Sequence, residues 1–342
     1  MSRLQLSACL SRNILTGPLL AGQVVPEGID WNISALHPSE MFWRQLKYGD
    51  FDVSEMSLAS LCIAADHGVR DWVALPLFTT RRFFHTGIVV RDDAGVAGPE
   101  DLAGKRVGVP EYQQTAAVWA RGALRHEWGV KPEAVQWFME RPPERSHGGA
   151  TGFVPPPGVD LRYIPADSSI ADMLRDRELD ASLVYLSDRN LVDRSRGSAG
   201  SITGVRNLFD DPEAEGRRYF AKTGLLPVNH TVVVRADLLR RHPWAALNIV
   251  GAFMAAKRAA FAPLTQQEAE IGSRGGLLEP WLRIGALPPD VPETLQRTDP
   301  LPYGLRGQEH TLTALAGYLR EQGLTASEIE IGSLFAESTR DL

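Results

Sequence analysis

The chain has 342 residues, 44% of them hydrophobic and 23% charged, the composition of a globular protein with room for about two domains. A formal net charge of −6 with no long Lys/Arg cluster argues against a nucleic-acid backbone as the main partner. Cys9 and Cys62 are the only cysteines, too few and too far apart for a disulfide framework or a structural zinc.

At the N-terminus, Leu6-Ser7-Ala8-Cys9 looks like a lipoprotein cleavage site. The apolar stretch of ~7–15 residues that a secretory signal needs does not precede it. No run of about 18 apolar residues stands out later, so the expectation is a cytoplasmic protein without a membrane span.

From residue 29 strand and helix patterns alternate. Ile29 to Leu36 reads as a strand, and a helix follows, "EMFWRQLKYG", with Ser39 as cap and Gly49 as stop. "FDVSEMS" is a short strand ending at Ser57, "LASLCIAADHG" an apolar helix and "DWVALPLF" a further strand. The rhythm restarts after residue 100 with "KRVGV", a helix to about Arg125, "AVQWFME", a Pro/Gly-rich loop from Arg141 to Gly158, "LRYIPA", a helix capped by Ser168 or Ser169, and "DASLVYL". Such alternation is the signature of α/β units with parallel sheets.

Two similar apolar segments, Thr86 to Asp93 and Thr231 to Asp237, each close on Arg and Asp. They suggest that the chain leaves a first lobe along one strand and returns along the other. The first lobe then comprises residues 1–94 and 229–342, the second 95–228, and the carboxyl ends of the strands face each other across a ligand cleft.

Strand ends nominate the cleft residues: Ser57, the stretch Thr79 to His85, the stretch Glu111 to Thr115, the stretch Tyr185 to Arg189, and His230. Ser57 and Thr115 sit where a strand hands over to a helix, a placement that suits either helix capping or an anion. In "TTRRFFHTG", Arg81 and Arg82 can pair with a carboxylate, while Phe83 and Phe84 can stack on a flat ligand or belong to the core. His85 and His230 stand at the two crossings near Glu111, so a proton-delivering group is one reading and ordinary buried histidines the other. Spacing gives no support to a His/His/Glu metal site. No Gly-x-Ser-x-Gly, P-loop or Gly-x-Gly-x-x-Gly fingerprint occurs.

Along almost its whole length, through "PEGIDW", "PSEMFWRQL", "FDVSEMS", "DLAGKRVGVPEYQQTAAVWARGAL", "HTVVVRADLLRRHPW" and "PYGLRGQEHTL", the sequence resembles the 4,5-dihydroxyphthalate decarboxylases. The resemblance implies a type 2 periplasmic-binding-protein-like fold and a cytoplasmic carboxy-lyase that acts without a cofactor or metal on a small aromatic carboxylate. Carried over residue by residue, the site takes in Ser57, Arg81, His85, Glu111, Tyr112, Gln113, Thr115, His230 and Tyr303. The family pattern has arginines where this chain has Phe84 and Leu186; Arg82 or Arg189 would restore a charge. The implied reaction is non-oxidative decarboxylation by ring-carbon protonation. His85 or His230 is expected as the acid, Glu111 as its assistant, and Arg81, Ser57 and Thr115 as carboxylate anchors, on either 4,5-dihydroxyphthalate or a less anionic phenolic acid. A non-catalytic aromatic-acid binder and a dehydratase on the same scaffold are the rival readings. The sequence leaves a homo-oligomer open.

Overall fold

A computed structural model describes residues 3–271, 301–327 and 329–342. Two mixed sheets form two α/β lobes. The first sheet runs β2-β1-β3-β11-β4, from β1 (Leu4–Leu10), β2 (Ile29–Ala35), β3 (Val53–Ser57), β4 (Trp72–Arg81) and β11 (Val228–Arg235). Strands β1, β2 and β3 are parallel, and β11 enters antiparallel between β3 and β4. Every residue of β3 is buried, as expected for a central strand covered on both faces.

The second sheet runs β10-β5-β9-β6-β7-β8, from β5 (Val89–Arg91), β6 (Arg106–Val109), β7 (Gln136–Met139), β8 (Asp160–Tyr163), β9 (Ala181–Ser182) and β10 (Val205–Asn207). Helices connect the strands: α1 (Gly17–Leu20), α2 (Pro38–Tyr48), α3 (Leu58–Asp66), α4 (Thr115–Trp128), α5 (Gly148–Thr151), α6 (Ile170–Arg175), α7 (Pro212–Thr223), α8 (Ala236–Arg241), α9 (Ala245–Ile271) and α10 (Glu309–Glu321). Local chemistry sets their ends. Helix α2 begins with Pro38, whose missing N–H costs nothing there, and stops at Gly49, which adopts φ 63°. Its cap is His37, whose Nδ1 accepts the Ser39 N–H, rather than Ser39 itself. Ser57 caps α3 and Ser169 caps α6.

Four features differ from the sequence reading. β1 fills the segment in which only a lipoprotein-like tetrapeptide stood out. The chain crosses between lobes earlier than residue 94: β5 pairs with β9 and β10 of the second sheet, so the passage lies just after β4. Part of the C-terminal region leaves the first sheet, although Gly304, Phe335 and Ala336 contact β4 at Pro76 and Ala74. Helix α10 packs on α4 through Tyr318 against Trp119 and Gln322 against Arg121. Gly122 makes room for this contact, since a Cβ there would lie 2.1 Å from the Tyr318 ring. Finally, Ala245–Ala262 of α9 is long and apolar enough to cross a membrane; Ile249, Val250, Phe253 and Ala256 are buried in the core of the first lobe.

Candidate active site

The register of the first sheet sets the floor of the site. His230 on β11 is paired with Ser57 on one side and Thr80 on the other, so three polar side chains stand abreast on one face. They line a cavity of about 200 Å³. For scale, an apolar cavity of roughly 150 Å³ holds benzene. The first lobe adds His37, Ser39, Phe42 and Asn229; the connection adds Arg82 and Phe84; the second lobe adds Thr115, Arg141, His147 and the run Leu183 to Leu186.

Glu55 lies two residues before Ser57 and is fully buried, with its Oε2 3.2 Å from His230 Nδ1. Burial drives its carboxyl upward, but hydrogen bonds from His230, Thr79 and Ser11 hold it below the ordinary carboxylate range. Both oxygens are used: Ser11 donates N–H and O–H to Oε1, and Thr79 donates to Oε2 at 2.7 Å. A buried carboxylate is tolerated when its lone pairs are filled in this way. The contact fixes the imidazole with Nδ1 toward Glu55, while Nε2 lies 2.8 Å from Asn229 Nδ2. Phe42 meets the ring edge-on at 4.7 Å between centroids. Glu55 and His230 thus form an oriented acid–base pair.

A second network crosses between the lobes. Arg141 is buried with Asp193, its Nε 2.7 Å from Oδ1 and its Nη2 3.2 Å from Oδ2, and Nη2 also donates to Ser39 Oγ at 2.6 Å. Arg141 Nη1 meets His147 Nε2 at 3.3 Å. Because a guanidinium only donates, Nε2 is the acceptor and the proton sits on Nδ1, which donates to Ser60 Oγ at 2.9 Å. Burial, and then the charge of Arg141, push the His147 imidazole well below its ordinary pKa, consistent with a neutral ring. Ser60 O–H donates to Ser57 Oγ at 3.1 Å. Ser57 Oγ also accepts Thr115 N–H, which fills its lone pairs. Its own O–H therefore donates to Thr115 Oγ1, 2.9 Å away. Thr115 Oγ1 accepts Ala59 N–H as well and is left with one O–H to offer the cavity. The chain of bonds is directional and ends in a donor suited to an anion.

Of the residues and stretches expected from sequence, Ser57, Thr80, Arg82, Phe84, Gln114, Thr115, Tyr185, Leu186 and His230 line this cavity. The others lie elsewhere. His85 is buried among Phe83, Trp128, Phe209 and Tyr219, with Nε2 3.1 Å from Glu215, because the turn at Phe84–Gly87 aims it into the second lobe. Glu111 lies beneath the surface of the cleft, accepting from His147 N–H and Ser146 Oγ; burial raises its carboxyl above the ordinary range despite the Arg141 charge. Its place is behind His147. Tyr112 stacks on Phe153 and lies under the Arg121 guanidinium, and Gln113 accepts from Thr151. Arg81 reaches the Pro302 carbonyl, and Tyr303 packs against Phe253 and Lys257. Arg189 is exposed and does not line the cavity.

Sequence reasoning passed over Glu55, His37, Asn229, Arg141 and His147. Glu55 gave a usable signal, a carboxylate alternating with Ser57 on a short central strand, VSEMS. Arg141 and His147 gave none, since they lie in or beside a loop whose path follows from tertiary contacts.

No protein-family model matches the chain. It is similar to the 4,5-dihydroxyphthalate decarboxylase of Comamonas testosteroni, 34% identical over 269 residues that make up 79% of each chain. The Pseudomonas putida protein of that name is 35% identical over 181 residues, 53% of this chain and 70% of the relative. In three dimensions it is similar to the alkanesulfonate-binding protein of Xanthomonas axonopodis, with TM-score 0.53 and 15% identity, covering 98% of this chain and 99% of that one. The periplasmic aliphatic sulphonate binding protein of Escherichia coli gives TM-score 0.52 at 12% identity, with all of both chains covered. These solved structures show the periplasmic-binding-protein-like fold, and the curated relatives show that the chain belongs to the 4,5-dihydroxyphthalate decarboxylase family.

Proposed function

We propose that the cleft catalyses non-oxidative decarboxylation of a hydroxylated aromatic carboxylate, with His230 as general acid. The observation that carries this reading is the His230–Glu55 pair facing a cavity in a chain whose relatives are named decarboxylases.

Direct loss of CO2 from an aryl carboxylate would leave an aryl carbanion. Protonating the ring carbon that bears the carboxylate avoids it, because a para or ortho hydroxyl takes up the positive charge. His230, protonated, delivers the Nε2 proton to that carbon. The bond to the carboxylate carbon then breaks, its electron pair restores the aromatic ring, and CO2 leaves. A water proton recharges the imidazole, so the net reaction consumes one proton. Asn229 serves both charge states: its amide donates to Nε2 in the neutral ring and, turned over, accepts from Nε2–H. General acid catalysis of this kind contributes about 10²–10⁴-fold.

The Thr115 hydroxyl and the Arg82 guanidinium are the anchors for the carboxylate, and Phe42 and Phe84 flank the ring. A carboxylate held by a charged donor and a hydroxyl is fixed in orientation, which supplies much of the rate gain. The test is purified protein with a panel of hydroxybenzoates and hydroxyphthalates, following CO2 and the decarboxylated product. Release of CO2 from a panel member supports the reading. Ligand-induced stabilisation without turnover across the panel overturns it in favour of a binding protein.

A further inference from the structure

Building on the decarboxylase reading, we infer that the cavity selects aromatic acids carrying a single carboxylate. The inference comes from its charges. Arg82 and Arg141 supply the guanidinium groups of the lining. Arg141 is matched by the buried Asp193 carboxylate and spends four N–H groups on Asp193, Ser39 and His147. Its charge is neutralised within the wall.

The histidines add no spare cation. His147 has both nitrogens engaged, and the charge of a protonated His230 is met by Glu55. His37 stands beside Asp188, 3.9 Å away at the rim, so that approach carries a negative charge. Arg82 alone among the described lining residues is a cation without an ion-pair partner. Phe84, Leu183, Val184 and Leu186 add hydrocarbon to the lining. One carboxylate finds Arg82 and the Thr115 O–H. A second one on the same ring meets hydrocarbon, where an unpaired charge is disfavoured.

The test compares two acids that differ by one carboxylate, 3,4-dihydroxybenzoate and 4,5-dihydroxyphthalate, by calorimetric titration of the whole protein and, separately, by CO2 release. Wild type is expected to bind the monoacid about tenfold or more tighter. Phe84→Arg, which places a cation in the apolar wall, is expected to shift the preference toward the diacid, raising the ratio of diacid to monoacid affinity about tenfold. Equal or tighter binding of the diacid by wild type overturns the inference, and so does failure to bind either acid. CO2 release reads the other claim: a monoacid preference with no CO2 from any acid refutes the decarboxylase reading and leaves the selectivity standing. Turnover of a tightly bound diacid does the reverse.

Discussion

Ser57 Oγ and Thr115 Oγ1, 58 residues apart in sequence, lie 2.9 Å from each other across the two lobes. Each stands at a strand-to-helix junction, where the sequence suits either a helix cap or an anion contact and the resemblance implies carboxylate anchors. Instead they bind one another, and Thr115 becomes the outward donor of a chain that begins at Arg141. Thr115→Val removes that donor and leaves Ser57 O–H and Ala59 N–H without their acceptor. A loss of about 1–3 kcal/mol in unfolding free energy is expected, with KM raised more than kcat is lowered. Thr115→Ser should restore both, as read by denaturant melts and steady-state kinetics.

Glu55 makes a prediction about acid. Its carboxyl is held below the ordinary value in the folded protein, whereas in the unfolded chain it titrates near ~4.3. The unfolded state therefore takes up the proton first as pH falls. The stability contributed by ionised Glu55 is complete above about pH 4.3 and is lost as pH drops through the folded value. Glu55→Gln should be less stable than wild type at pH 7, and the gap should close on acidification. A gap that stays constant in melts from neutral to acidic pH contradicts the assignment.

Arg141 and Asp193 form a buried ion pair. Removing one partner strands the other charge, at a cost of about 3–5 kcal/mol. Arg141→Met is expected to lower the unfolding free energy by that order in denaturant melts, and adding Asp193→Leu should recover much of the loss. The double variant still lacks the donor to His147, so its turnover should remain low although it folds.

In the proposed mechanism ring protonation supplies its own electron sink, so no step of that mechanism calls on a metal. Turnover is expected to survive prolonged treatment with a strong chelator and dialysis. Restoration of a lost rate by an added divalent cation contradicts this.

Much of the architecture is legible in the alternation of strand and helix patterns, because each lobe buries apolar strands between amphipathic helices. The limits of legibility are physical. β1 carries Ser7 and Cys9 among its apolar residues and resembles a processing signal more than a strand. The passage of α10 onto α4 depends on Gly122 and Tyr318, a contact between residues 196 positions apart that no local pattern encodes. In the site, His230 and Thr115 were reachable from strand ends. His85 shares the sequence context of a cleft residue, yet one turn of chain directs it to Glu215. Glu111 bonds the backbone of His147 rather than facing the cavity.

The most direct test of the account is CO2 release and ligand binding measured side by side for wild type, His230→Gln and His85→Gln. The account predicts that His230→Gln loses about 10²–10⁴-fold in turnover while still binding the acid, and that His85→Gln keeps wild-type turnover per folded molecule. Wild-type turnover in His230→Gln would contradict it.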